Sequence, residues 1–302
     1  MKIARVLQPA SATPILALEQ SGWLYDVAEL DRHHDTRFAP ERFGGAGDFH
    51  TRVCALGAAG MAELDEALRA GSRPRDARLL PDSFLWLPPC DTERALWVCF
   101  PHADTRDPAS EPSYALGNAR ALLGHREVVP FPAREQSPDL EVGVAALIGD
   151  ELYRATAAEA RAALVGFTVL ASWIARGEEE RGGRFAARAR DFGAQLGPWL
   201  VDAAEVPDLA RVAVRVRAAH HGGWVPCGRV GDAPLRIDEA IAFASDHVRL
   251  APGDLVSVGL ISASAARLPL AWGSDVEVQL EGIGTLVGRP ARGPDAVPWR
   301  AD

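Results

Sequence analysis

The sequence predicts a strand-rich α+β fold, in which a small mixed N-terminal region precedes a larger region dominated by strands. The apolar run at residues 141–148 is typical of a buried strand. Valines alternate with other residues at 212–216 and again at 276–280, which is the two-residue period of half-buried strands. Helical signals are few and short, and they predict helices at residues 51–70, 156–164 and 237–247.

The N-terminal region begins with a predicted β-hairpin. Residues 15–18 and 23–27 are largely apolar, and they flank Gln20-Ser21-Gly22, whose composition is typical of a tight turn. A polar, Gly-rich loop at residues 36–50 follows. It leads to the helix predicted at 51–70, where apolar residues recur at helical spacing.

A Pro-marked stretch at residues 73–89 is predicted to be a linker. We therefore expect a small N-terminal domain with its linker at residues 1–88, and a C-terminal domain at residues 89–302. No internal repeat or low-complexity tract divides the chain further.

Two helices interrupt the strands of the larger region. Thr156 and Glu159 stand at capping-box spacing at the start of the first helix. Asp238 lies in the first turn of the second helix, where an acidic residue is favourable. Residues 252–254, Pro-Gly-Asp, then predict a turn into a further strand.

Composition excludes several classes of function. The net charge of −9 would be repelled by a phosphate backbone, so no nucleic-acid partner is expected. No apolar run approaches the roughly 20 residues that span a bilayer, and the N-terminus lacks a signal-peptide core. We therefore expect no membrane association and a cytoplasmic location, with the four cysteines reduced. Lys2 is the only lysine of the chain. Walker-loop, protein-kinase and Schiff-base chemistries each need a functional lysine, so they are excluded unless Lys2 is that residue.

Three segments carry a family resemblance: residues 140–149 (LEVGVAALIG), 166–176 (GFTVLASWIAR) and 191–199 (DFGAQLGPW). In this order and spacing they resemble the fumarylacetoacetate hydrolase family, whose segments read roughly DYExELAVVIG, GYTxxNDxSAR and KxFxxxxGPW. Recognisable similarity covers about residues 85–292. The resemblance implies a mixed β-sandwich roll with a small β-rich N-terminal domain, and usually a homodimer.

The resemblance also implies a chemistry. Members of the family hold a divalent ion with carboxylates, and the ion chelates an oxo- or diketo-acid and stabilises its enolate. Glu141 matches the first glutamate of the family, but Gly143 stands at the second and Ser172 at the aspartate. Glu141 is therefore the only implied metal ligand left. We expect no cofactor, or weak binding of Mg²⁺, Mn²⁺ or Ca²⁺ if the site survives.

Proton-transfer and substrate-binding residues are implied in the same way. His102 matches the histidine that activates water, and His102 and Glu141 are the predicted catalytic residues. Arg176 matches a substrate-binding arginine of the family. The family lysine falls at Arg190, or at Arg188 in a slipped register, and arginine keeps the charge while losing any proton-donating role.

The segment after Arg176 offers one further candidate. Glu178-Glu179-Glu180 is typical of a solvated acidic face, yet Glu179 is retained as a possible substrate contact. Arg176 and Arg190 would repel each other in a partly dry pocket unless an anion lay between them, so we expect the substrate to carry a carboxylate. Trp173 and Leu260 are expected to narrow this pocket.

The sequence leaves three functions open. The first is an enzyme of small-molecule metabolism that acts on an oxo- or dicarbonyl carboxylate by C–C hydrolysis, decarboxylation or keto–enol isomerisation. The second is a noncatalytic binding or scaffold protein of the same fold. The third is a metal-dependent hydrolase that recruits Asp139 or Asp191 as replacement ligands.

The pairs His33-His34 and His220-His221 are weak metal candidates, because adjacent residues seldom share an ion.

Overall fold

The computed structural model describes residues 1–9, 13–34, 66, 69, 75–80, 83–99, 112–182, 187–262 and 268–294. Within these residues the strands are β1 (Lys2–Leu7), β2 (Ile15–Gln20), β3 (Trp23–Asp26), β4 (Leu85–Leu87), β5 (Ala95–Cys99), β6 (Ser113–Gly117), β7 (Leu122–Leu123), β8 (Val128–Phe131), β9 (Asp139–Ile148), β10 (Leu164–Ile174), β11 (Ala194–Asp202), β12 (Ala213–Ala218), β13 (Val225–Arg229), β14 (Leu255–Ser262), β15 (Val276–Leu280) and β16 (Gly284–Arg292). The α-helices are α1 (Val27–His34), α2 (Ala157–Ala162), α3 (Arg176–Gly182) and α4 (Ile237–His247).

Two mixed sheets organise the chain, and the predicted strand-rich α+β fold is confirmed. The larger sheet has 11 strands in the order β3-β2-β1-β11-β10-β9-β14-β5-β6, with β4 beside β1 and β7 beside β11. The smaller sheet has five strands in the order β13-β12-β15-β16-β8. Most neighbouring strands are antiparallel, whereas β14 with β5, β11 with β7 and β16 with β8 are parallel.

The central strands β9 and β10 are buried on both faces, and each face packs against a different core. Val142, Val144 and Val169 point to the core shared with the smaller sheet and α4. Ala145 and Leu170 point to a second core, which is closed by the N-terminal strands and α1. Because side chains alternate along a strand, this division fixes which residues of β9 can reach the same site.

Local sequence signals are confirmed at most of the elements that the structure describes. The predicted hairpin is β2 and β3, with Ser21 and Gly22 at positive φ in the turn. Thr156 and Glu159 form the reciprocal capping box that begins α2. The helix predicted at 51–70 lies outside the described residues apart from Glu66 and Arg69, which are helical. No helix in the described part of the chain is long and apolar enough to cross a membrane.

The N-terminal strands do not form a sheet of their own. Lys2 and Ile3 of β1 pair with Val201 and Leu200 of β11, so the large sheet continues across the expected boundary between residues 88 and 89. The segment predicted as a linker contains β4, which also pairs with β1. The division into domains at that boundary stays a prediction.

Candidate functional site

Strand register places Glu141 at the end of the central sheet, between two serines. Glu141 of β9 pairs with Ser172 of β10 on one side and with Ser262 of β14 on the other. Residues two apart on a strand share a face, so Asp139 lies on the same face as Glu141. The next position on that face is Gly143, which brings no side chain.

Arg176 and Arg190 reach this face from two segments that are joined by the backbone. Arg176 is the first residue of α3, directly after β10, and Arg190 follows a turn at residues 187–189. The amide of Ala175 donates to the carbonyl of Ala189 at 2.9 Å, and this bond holds the residues before the two arginines side by side. The start of α3 is fixed by the buried Glu135, whose carboxylate accepts from the amide of Gly177 at 3.1 Å.

Five charged side chains converge there, and we call them the arginine–carboxylate cluster: Asp139, Glu141, Arg176, Glu179 and Arg190. Arg176 donates from Nε to Asp139 Oδ2 at 2.7 Å and from Nη1 to Glu179 Oε2 at 2.7 Å. Arg190 donates from Nη1 to Glu179 Oε1 at 2.6 Å. Longer contacts of 3.3 to 3.4 Å join Glu141 to Nη2 of both arginines.

The cluster is internally paired and carries a net negative charge. Three carboxylates face two guanidinium groups, which leaves one formal negative charge. Burial lowers the pKa of Arg176, but hydrogen bonds to Glu179 and Asp139 outweigh it, and the pKa is raised. For Glu179 burial raises the pKa, but hydrogen bonds from Arg176 and Arg190 outweigh it, and the pKa is lowered. Glu179 is therefore ionised at neutral pH, and Arg176 stays protonated.

The donor set does not fit a divalent ion in the way that the resemblance implies. Hard cations require several oxygen ligands, commonly several carboxylates. The two oxygens of Glu141 face Arg190 Nη2 at 3.3 and 3.4 Å, and Asp139 is engaged by Arg176. In the part of the chain that the structure describes, no group of three or more His, Cys, Asp or Glu side chains could hold a metal ion. A guanidinium group thus lies beside Glu141, on the face where a metal-binding carboxylate is missing at Gly143.

Of the residues predicted for catalysis or substrate binding, the structure brings four together and leaves others apart. Glu141, Arg176, Glu179 and Arg190 all belong to the cluster. Arg188, the alternative to Arg190, is exposed and lies outside the cluster. The remaining candidates lie apart or undescribed: Asp191 is exposed, His220 and His221 are exposed in a turn, the side chains of His33 and His34 are not described, and His102 lies outside the described residues.

Two expectations about the pocket are wrong. Trp173 does not narrow it, because alternation on β10 turns the ring to the opposite face, where Nε1 donates to Gln195 Oε1 at 3.0 Å. The arginines are not unpaired either, since Glu179 is the anion between them. Glu180 is exposed, as expected of a solvated acidic face, but Glu179 is not part of that face. Leu260 has no described side chain.

Asp139 is a member of the cluster that sequence reasoning considered only as a spare metal ligand. The signal was present, because Asp139 stands two residues before Glu141 on one strand. Glu135 was missed altogether, since it lies in a loop and has no motif position. Its role is structural, because its two oxygens accept from the amides of Gly177 and Gln136.

Comparison with known proteins decides the family. The family model described as fumarylacetoacetate (FAA) hydrolase C-terminal matches residues 98–289, which is more than half of the chain. The chain belongs to the fumarylacetoacetate hydrolase family. The matched region contains β9, β10 and α3, and hence the whole arginine–carboxylate cluster.

Two relatives and one solved structure show what the chain is similar to. An uncharacterized protein of Pyrococcus abyssi is 30% identical over 186 residues, which cover 60% of this chain and 80% of that protein. The mitochondrial oxaloacetate tautomerase FAHD2A of Homo sapiens is 28% identical over 178 residues, covering 57% of this chain and 56% of that protein. The structure of maleylpyruvate hydrolase from Sphingobium sp. SYK-6, in complex with manganese(II) and pyruvate, has a TM-score of 0.71 at 17% identity. It covers 97% of this chain and all of that chain, so the fold is shared.

Proposed function

We propose that this protein is an enzyme that catalyses keto–enol isomerisation of an oxo- or dicarbonyl carboxylate, with weak or no dependence on a metal ion. The observation that supports the proposal best is the pair of guanidinium groups beside Glu141. In this family the negative charge of the enolate is expected to be met by a cation, and two fixed guanidinium groups can supply that charge. Both are oriented by short bonds to Glu179, and Arg176 also by Asp139.

Isomerisation is the least demanding of the three reactions that the sequence leaves open. A proton leaves the carbon next to the ketone and a proton reaches the ketone oxygen, so no water or other co-reactant is consumed. C–C hydrolysis would also require a positioned water, and decarboxylation would require loss of carbon dioxide. A human relative is named an oxaloacetate tautomerase, which favours this choice.

The proposed roles of the cluster residues follow from their positions. Arg176 and Arg190 bind the substrate carboxylate and the developing enolate oxygen through charge-assisted hydrogen bonds. Glu141 is the partly buried carboxylate beside both guanidinium groups. We assign proton transfer to Glu141, and also to His102 because it matches the histidine of the family. The proposed ligand is a small carboxylate, and we propose a cytoplasmic homodimer that binds neither nucleic acid nor membrane.

A noncatalytic role is the second candidate, and one observation favours it. The two guanidinium groups are already paired with three carboxylates, so the cluster can persist without a ligand. A binding or scaffold protein that had lost the reaction could retain such a cluster. The metal-dependent hydrolase has less support, because Asp139 is engaged by Arg176 and Asp191 is exposed.

The experiment is proton exchange followed by NMR. A panel of oxo-acids and acylpyruvates is incubated in deuterated buffer with the protein and a chelator, and loss of the proton next to the ketone is measured. Wild-type protein should accelerate exchange, and Arg176→Met or Arg190→Met should remove most of the acceleration. Arg188→Met is the matched control, because Arg188 is exposed and outside the cluster. No acceleration for any panel member would favour the noncatalytic role.

A further inference from the structure

We propose that Glu179 is an internal stand-in for the ligand: its carboxylate occupies the arginine pair, and a bound carboxylate must displace it. The inference rests on the proposed function for the kind of ligand, and on the geometry for the displacement. Glu179 spans the two guanidinium groups, with Oε2 at 2.7 Å from Arg176 and Oε1 at 2.6 Å from Arg190. One carboxylate shared in this way is the arrangement that an oxo-acid would make.

Of the three carboxylates, Glu179 is the one most exposed to water. Its side chain is 30% exposed, against 16% for Glu141 and 9% for Asp139. Asp139 is also held by a second bond, because its Oδ1 accepts from the amide of Leu140 at 2.8 Å. A partly exposed carboxylate that leaves the arginine pair is hydrated by water. A buried carboxylate that left the pair would stay charged with neither solvent nor a partner.

The charge balance gives the same answer. The cluster already carries one excess negative charge, so a ligand carboxylate that entered beside all three would face repulsion. Departure of Glu179 keeps the excess at one negative charge, because the two arginines then meet Asp139, Glu141 and one incoming carboxylate. Binding therefore exchanges one pair of charge-assisted bonds for another, and the wild-type affinity for a carboxylate is lowered by the competition.

The test is a calorimetric titration with oxalate, a planar dicarboxylate that resembles an oxo-acid enolate. Glu179→Gln removes the competing charge with little change of shape, and Glu179→Ala removes the competing group altogether. Glu178→Gln is the matched control, because Glu178 lies on the same helix and pairs with Arg181 at 2.9 Å. Both Glu179 variants should bind oxalate at least about tenfold more tightly than wild type, as expected when one charged competitor is removed. The control should bind like wild type.

The possible outcomes separate this inference from the proposed function. Tighter binding by both Glu179 variants without any proton exchange would support displacement and reject the enzyme. Exchange by the wild type without tighter binding by either Glu179 variant would reject displacement alone. Equal tightening by Glu178→Gln would also reject it, because a general charge effect would then suffice. Oxalate that bound to no form of the protein would reject displacement, and the proposed function would then be decided by proton exchange alone. Thermal melting of each variant establishes that the folded protein is being titrated.

Discussion

Replacing Arg190 by methionine measures what the contacts of Arg190 in the arginine–carboxylate cluster contribute to the free energy of unfolding. The change keeps much of the side chain's volume but removes the 2.6 Å bond to Glu179 and the two longer contacts to Glu141. A hydrogen bond to a charged group contributes about 1.5–3 kcal/mol. The side chains of Arg190 and Glu179 are 27% and 30% exposed, so water replaces part of that bond and the low end applies. The long contacts to Glu141 add little.

We therefore expect Arg190→Met to lower the free energy of unfolding by about 1–2 kcal/mol. The assay is equilibrium unfolding in urea at pH 7, followed by tryptophan fluorescence, with an unchanged slope as the sign that the unfolded state is the same. Arg188→Met should change stability by less than about 0.5 kcal/mol, because it is exposed and outside the cluster. A double-mutant cycle with Glu179→Gln should show coupling of the two changes. An equal or more stable Arg190→Met protein would refute the reasoning, since ion pairs can be worth less than the apolar side chains that replace them.

Three further predictions concern the histidine, the acid dependence of the cluster and the assembly. His102→Ala should spare oxo-acid binding and reduce proton exchange by roughly a hundred- to ten-thousand-fold, and unchanged exchange would remove His102 from the mechanism. The pKa of Glu179 is below its usual value of 4.5, so its ionised form stabilises the fold above that pH and the contribution is lost as the pH falls through the folded-state pKa. The stability difference between wild type and Glu179→Gln should therefore shrink below pH 4.5 in urea titrations at a series of pH values, and a difference that grew on acidification would contradict this sign. We also expect a homodimer, so light scattering at micromolar concentration should return about twice the 32.3 kDa of one chain, and a monomer mass would reject it.

Local patterns account for the elements that the sequence predicted well. The apolar run of β9 and the alternating valines of β12 and β15 are patterns among residues a few positions apart, so periodicity is enough to find these strands. The capping box of α2 is also a local signal, contained within four residues. The position of β1 was different, because its pairing with β11 joins residues about 200 apart and leaves no local pattern.

The site shows the same difference between local signals and long-range contacts. Motif positions identified Glu141, Arg176 and Arg190 as candidates, but they did not show that Glu179 would pair with both arginines. That pairing depends on the hydrogen bond between Ala175 and Ala189, which brings two separate segments together. The error at Trp173 was avoidable, since neighbouring residues on a strand face opposite ways and Ser172 already marked the face of the site.

The most direct test of this account is a calorimetric titration of the chelator-treated protein with Mn²⁺, because the central claim is that guanidinium groups supply the charge that a metal ion supplies elsewhere in the family. Wild-type protein should show no stoichiometric binding, and proton exchange should proceed unchanged in the chelator. Restoring the two missing carboxylates with Gly143→Glu and Ser172→Asp should create measurable Mn²⁺ affinity, since hard cations need several oxygen ligands. About one tightly bound Mn²⁺ per wild-type chain, together with exchange that required it, would contradict the central claim.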